Sequence, residues 1–264
     1  MIPSAMDSLA AIGDESEGKR VALFFDYDGT LSPIVERPDL AYMADSMRET
    51  VRNLARMCPV AVVSGRDRAD VEKFVQLDSI FYAGSHGFDI AGPDGRHMQQ
   101  RQGEAFVPML RKAESELRAL LEGMEGALVE SKKYAFAVHY RLVSEADKPR
   151  LDEAVDEVAG RYSDLRKKGG KMVYEILPKM DWDKGKAVDW LLEALDLDHP
   201  DVLPFYLGDD LTDEDAFGAL QAKGIGILVA DKPQETKAKY VLRDVEEVRL
   251  FLGRLTEMLE QRAG

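Results

Sequence analysis

Hydrophobic and polar positions along the chain fall into short apolar runs separated by longer stretches with helical spacing. Val21 to Phe25, Pro59 to Val63 and Pro204 to Leu207 are largely aliphatic, β-branched and aromatic, which suits strands buried on both faces of a parallel sheet. Strand and helix signals alternate from Val21 to about Ile90, the rhythm of a doubly wound parallel sheet. Gly92-Pro93-Asp94-Gly95 then marks a turn, and after Gly103 the pattern changes. A helical stretch from Glu104 to Leu121 precedes adjacent strands over Ala127 to Glu130 and Tyr134 to Tyr140, joined across Lys132-Lys133. A helix over Glu145 to Arg161 and a strand near Met172 to Ile176 complete this stretch. The expected fold is α/β: a Rossmann-like core over 19–102 and 182–264, a smaller α/β insert over 103–181, and a partly disordered leader over 1–18.

The apolar runs end in polar groups that sit badly in a mere scaffold. Val21 to Phe25 opens into Asp26-Tyr27-Asp28-Gly29-Thr30, with two carboxylates two residues apart, a glycine for a tight turn and a hydroxyl. The carboxyl ends of parallel strands face the binding crevice of such sheets. An ordinary strand-to-helix turn with an aspartate cap has the same local wording; the other strand ends decide between them. Pro59 to Val63 ends in Ser64-Gly65-Arg66-Asp67, and Asp183-Lys184-Gly185-Lys186 heads an amphipathic stretch, placing Lys184 near a helix amino end that favours anions. Pro204 to Leu207 ends in Gly208-Asp209-Asp210-Leu211-Thr212-Asp213-Glu214-Asp215. So many carboxylates repel one another without a cation, and hard oxygen ligands point to Mg²⁺.

These four motifs in this order resemble the haloacid dehalogenase superfamily of aspartate-nucleophile phosphotransferases. Asp26 to Ile34, Gly84-Ser85-His86-Gly87, Val138-His139-Tyr140-Arg141 and Gly208 to Asp215 together are similar to the trehalose-6-phosphate phosphatases, over about Val21 to Leu252. The resemblance implies Asp26 as covalent nucleophile and Asp28 as acid and then base. Thr30, Ser64 and Lys184 would hold the transferring oxygens. It implies Mg²⁺ on Asp26, the backbone carbonyl of Asp28 and Asp209, with Asp213 ordering a metal-bound water and Asp210 left without a decided role behind the ligands. The insert lies where that family carries a cap, and Glu130, Lys132, Arg141, Lys171 and Glu175 match its substrate-binding positions. Alternation puts Glu130 and Lys132 on one side of a strand, although a solvated sheet face would read the same way.

Composition narrows the partners. The 264 residues with 45% hydrophobic content permit a real core. The balance of 35 basic against 49 acidic residues, a net charge of −14, argues against nucleic acid or anionic lipid as partner. A small sugar phosphate is the expected ligand. The charge is uneven: residues 103–181 hold 14 basic and 15 acidic residues, so the remainder carries nearly all of the net charge. Arg166-Lys167-Lys168-Gly169-Gly170-Lys171 looks like a nucleic-acid patch in isolation, but its glycine pair suggests a hairpin turn. Cys58 is the single cysteine, which excludes an intrachain disulfide and fits a reducing cytoplasm. No stretch approaches the apolar length of a membrane span, and Met1 to Arg20 lacks a signal-peptide core. His86 and His139 have no ligand-like spacing and read as structural hydrogen-bonding groups, while His97 and His199 fall in expected loops. A monomer acting beside a separately encoded trehalose-6-phosphate synthase is expected. Rival readings are a phosphatase for another sugar or pseudo-disaccharide phosphate, a sugar phosphomutase and a non-catalytic sensor; a nucleotide-binding oxidoreductase lacks the Gly-x-Gly-x-x-Gly after its first strand.

Overall fold

A computed structural model describes residues 2–93, 97–99 and 104–263. Asp94-Gly95 of the expected turn and the expected boundary at Gly103 lie outside the described residues. The chain divides into two compact units, Met1–Met98 with Trp182–Gly264, and Gln99–Asp181.

The first unit is built on β1 (Arg20–Phe25), β2 (Val60–Val63), β3 (Phe81–Gly84), β4 (Asp89–Ala91), β5 (His97–Gln99), β10 (Val202–Gly208), β11 (Ile225–Val229) and β12 (Tyr240–Leu242). Their order is β12-β11-β10-β1-β2-β3-β4-β5. Pairing is parallel from β12 to β3, and β4 turns back antiparallel to β3. Every residue of β2, β10 and β11 is buried, as is all of β1 after Arg20, which is what uninterrupted apolar runs require. Alternation splits β1 between two cores. Val21, Leu23 and Phe25 join one cluster with Met47, Val51 and Phe251, while Ala22 and Phe24 join another with Val188, Leu191 and Phe217. Helices α2 (Asp45–Leu54), α3 (Arg68–Val75) and α8 (Val245–Ala263) supply residues to the first cluster; α6 (Lys184–Ala194) and α7 (Glu214–Leu220) supply the second.

The amino-terminal segment corrects the expected disordered leader. Leu9–Ser16 forms helix α1, with Ala5 and Ile12 fully buried. The backbone before it pairs with the sheet edge, Ala5 N–H donating to Val241 O at 2.9 Å and Val241 N–H to Pro3 O at 3.0 Å. Arg262 donates to the Ser16 and Gly13 carbonyls. A few well-spaced apolar side chains and backbone groups at an open edge sufficed, so a continuous apolar block was the wrong signal to require. His97 likewise lies in a strand rather than a loop.

The second unit is a four-stranded antiparallel sheet in the order β6-β7-β9-β8, from β6 (Leu128–Ser131), β7 (Phe136–His139), β8 (Leu165–Gly170) and β9 (Val173–Pro178). Helices α4 (Val107–Leu120) and α5 (Lys148–Arg161) cover one face, burying Leu110, Leu117, Leu151 and Val155 with Val129, Phe136, Val138 and Ile176. Strand β8 is absent from the sequence reading. The hairpin exists, but Gly169 and Gly170 belong to its strand, and the turn is Lys171-Met172, with Met172 at φ 65°. No helix among the described residues is long and apolar enough to cross a membrane.

Candidate active site

The parallel register brings three strand ends side by side. Phe25 pairs with Leu207 on one flank and with Val62 on the other, so the residues leaving β1, β10 and β2 are neighbours, and Asp26 N–H donates to Leu207 O at 2.8 Å. Asp26, Thr30, Ser64, Lys184, Asp209 and Asp213 are all buried at this edge of the first unit. Lys184 is the first residue of α6, whose N-cap Asp183 accepts from Lys186 N–H at 2.9 Å.

Lys184 Nζ donates to Asp26 Oδ1 at 2.6 Å and to Asp213 Oδ1 at 2.7 Å. Burial works against the ammonium, but Asp213 and Asp26 outweigh it, so Lys184 titrates well above an ordinary lysine. Burial pushes Asp26 well above the usual carboxylate range, Lys184 pulls it down, and Asp213, Asp209 and Asp28 push it up again. Oδ1 of Asp26 is held by Lys184, and Oδ2 accepts no hydrogen bond from the described residues. A carboxylate pinned by one oxygen with the other open has the form of an in-line nucleophile.

Asp213 is held through both of its carboxylate oxygens. Its Oδ1 accepts from Lys184 and from Tyr206 Oη at 2.7 Å, and its Oδ2 accepts from the N–H groups of Asp209 at 3.0 Å and Asp210 at 2.9 Å. Four donors fill the acceptor capacity of a carboxylate. Asp213 therefore braces the loop after β10. Asp210 turns its own Oδ1 to Leu211 N–H at 2.7 Å. Gly29, at φ +86°, lies against Asp209 so closely that a Cβ there would fall inside the Asp209 carboxylate.

Asp26, Asp209 and Asp213 offer carboxylate oxygens within 4.8 Å of one another, all buried. The buried Thr30 hydroxyl has no hydrogen-bond partner among the described residues. Three buried acids against one lysine leave an excess of negative charge, and the donors are hard oxygens; the set fits a divalent cation such as Mg²⁺. Asp28 stands apart, half-exposed and gripped by Arg66, a contact the sequence did not reveal. Nε reaches Oδ2 at 2.6 Å and Nη2 reaches Oδ1 at 2.5 Å.

In the second unit, register lines up Glu130, Ala137, Glu175 and Lys168 across the four strands, on the face opposite the helices. Lys132 Nζ pairs with Glu175 there, both largely buried. His139 Nε2 lies 2.7 Å from Glu130 Oε2. Glu130, Lys132 and Glu175 thus share one face. Arg141 and Lys171 sit in exposed turns at a strand end, the Arg141 guanidinium donating to Lys171 O at 3.1 Å. His86 is buried at φ 57°, its carbonyl accepting from the Trp182 indole at 3.1 Å, which ties up the polar end of Trp182.

The parallel core, with an acid pair after its first strand, a hydroxyl after the second, a lysine at a helix start and clustered acids after β10, has the haloacid dehalogenase-like fold. A solved hydrolase of that class from Bacteroides thetaiotaomicron shares the fold, with a TM-score of 0.63 at 14% identity over 92% of this chain and 99% of that one. The C-terminal domain of C. albicans trehalose-6-phosphate phosphatase matches with a TM-score of 0.84 at 23% identity, over 97% and 98% of the two chains. Residues 24–246 match the trehalose-phosphatase family profile. A relative from Arabidopsis thaliana, probable trehalose-phosphate phosphatase D, is 46% identical over 97% of this chain and 72% of its own length. The chain belongs to the trehalose-phosphatase family.

Proposed function

We propose that this protein hydrolyses trehalose 6-phosphate to trehalose and phosphate through an aspartyl phosphate on Asp26, the last step of trehalose synthesis. The observation that carries the reading is the Asp26 carboxylate, fixed by Lys184 through one oxygen and open at the other. Asp26 Oδ2 attacks phosphorus as the bond to the sugar oxygen breaks, and Asp28 delivers a proton to that oxygen. Asp28 then takes a proton from the water that cleaves the aspartyl phosphate, returning Asp26 and releasing phosphate. Lys184, Thr30 and Ser64 hold the transferring oxygens; the unpartnered Thr30 hydroxyl is a donor waiting for one. Mg²⁺ would be held by the Asp26 and Asp209 carboxylates and the Asp28 carbonyl, and when bound it screens the charge between two approaching anions. Asp213 keeps Lys184 and the loop after β10 in place. Glu130, Lys132, Arg141, Lys171 and Glu175 bind the sugar hydroxyls. The enzyme acts as a cytoplasmic monomer downstream of a trehalose-6-phosphate synthase.

The test is phosphate release with Mg²⁺ from trehalose 6-phosphate, glucose 6-phosphate, sucrose 6-phosphate and an aryl phosphate, with Asp26→Asn as the blank. A strong preference for trehalose 6-phosphate supports the substrate. Equal rates on all four would leave a phosphatase of another specificity, and near-wild-type turnover in Asp26→Asn would remove the nucleophile.

A further inference from the structure

Asp28 differs from the buried acids Asp26, Asp209 and Asp213. Its side chain is 38% exposed, and it leaves a tight loop in which Gly29 N–H donates to Ser32 O and Leu31 N–H to Tyr27 O. Nothing in that loop fixes the carboxylate's rotamer. Arg66 does, from the loop after β2, with a planar fork onto both oxygens. A side-on fork takes one acceptor position on each oxygen and leaves one on each for a proton in transit.

Arg66 is held more firmly than the residue it grips. Its guanidinium carbon lies 5.6 Å from the Tyr27 ring centre and 5.1 Å from the Phe74 ring centre. Those rings stack on each other at 6.1 Å, and Tyr27 Oη is tied to Ala41 O at 2.6 Å. Arg66 N–H donates to Ser64 Oγ at 3.2 Å, and its carbonyl accepts from Ser85 N–H at 2.6 Å. Only 11% of its side chain is exposed. A half-exposed aspartate needs no counterion for stability, and such pairs add little to it, whereas a stacked fork fixes direction, which lysine does not.

We propose that Arg66 is the positioning residue for Asp28, holding its carboxylate in the orientation that the proton transfers at the leaving and attacking oxygens require. This rests on the acid–base reading of Asp28 above. Arg66 touches neither the phosphoryl group nor the sugar in this role; it acts through Asp28.

A double-mutant cycle over Arg66→Ala and Asp28→Asn tests it. The probe is 4-nitrophenyl phosphate, whose leaving group needs little help from a proton, so the Asp28→Asn background keeps measurable turnover. Arg66→Ala is expected to lower kcat about 10- to 100-fold, the scale of a catalytic group misplaced by about an ångström, with KM within about threefold. In the Asp28→Asn background it is expected to cost nothing further. A kcat within twofold of wild type, a loss confined to KM, or single losses that multiply in the double variant would each overturn the proposal. If Asp28→Asn alone turns over like wild type, the acid–base reading of Asp28 falls instead. Should Arg66→Ala fail to fold, Arg66→Gln, which keeps most of the stem over the rings, completes the same cycle.

Discussion

Asp26 is an acid whose protonated form the fold favours, and the sign of that preference can be measured. Burial, with Asp213, Asp209 and Asp28 beside it, raises its folded pKa above the unfolded value of 3.8. For an acid shifted upward, the folded state binds the proton more tightly, so stability is lost as pH rises from the unfolded toward the folded value. Asp26→Asn is therefore expected to be more stable than wild type at neutral pH without metal. The gap should open as pH rises above about 4 and shrink when Mg²⁺ is added to the wild type. Thermal melts of both proteins across pH, with chelator and then with Mg²⁺, would show it; equal melting temperatures throughout would contradict the shift. Gly29 carries a second residue-scale prediction. Alanine there meets both a positive φ and the Asp209 carboxylate, so Gly29→Ala should cost about 1–3 kcal/mol in denaturant unfolding and weaken Mg²⁺ binding, read by titration calorimetry.

Elements with regular patterns were legible in the sequence, and those without were not. Strands β1, β2 and β10 announced themselves as apolar runs because burial on both faces removes every polar position, and their ends carried Asp26, Ser64 and Asp209 with them. Strand β8 was hidden because its residues, Leu165 to Gly170, include three cations and two glycines, a composition that propensity assigns to a turn. The Arg66–Asp28 contact was out of reach for a different reason: the partners are 38 residues apart, and only the pairing of β1 with β2 brings their loops together. The bracing contacts of Asp213 were not legible either: its four donors come from α6, β10 and the loop after β10, whose geometry no spacing encodes. Helix α1 was missed because its buried residues are only Ile12 and the polar Ser16. Ile12 is fully buried against the first core cluster, so Ile12→Ala should cost about 2–4 kcal/mol in urea unfolding. A change below 0.5 kcal/mol would mean that α1 is dispensable to the core.

On the scale of the whole molecule, each unit has a hydrophobic core of its own, and one of them is interrupted in sequence by the other. Calorimetry is expected to resolve two unfolding transitions. Vanadate with Mg²⁺, a phosphoryl mimic, should raise only the transition of the unit holding Asp26 and Lys184. A single transition that shifts as a whole would show that the units unfold together. The net charge of −14 lies almost wholly outside the insert, so added salt should also act mainly on the first unit, where like charges repel most.

The pairing of β1 with β10 also sets an order of events during synthesis. Arg20 to Phe25 lie hydrogen-bonded to Val202 to Leu207, so the strand that leads into Asp26 waits for some 180 residues to leave the ribosome before its central neighbour exists. The insert, whose contacts are local by comparison, has all its strands available earlier. Phe24 and Phe25 stay open on one flank until then, which makes the nascent chain a client for hydrophobic-binding chaperones. Asp26 cannot meet Lys184, 158 residues further along the sequence, until that stretch has been made, and hydrolysis begins only when that half-sheet closes.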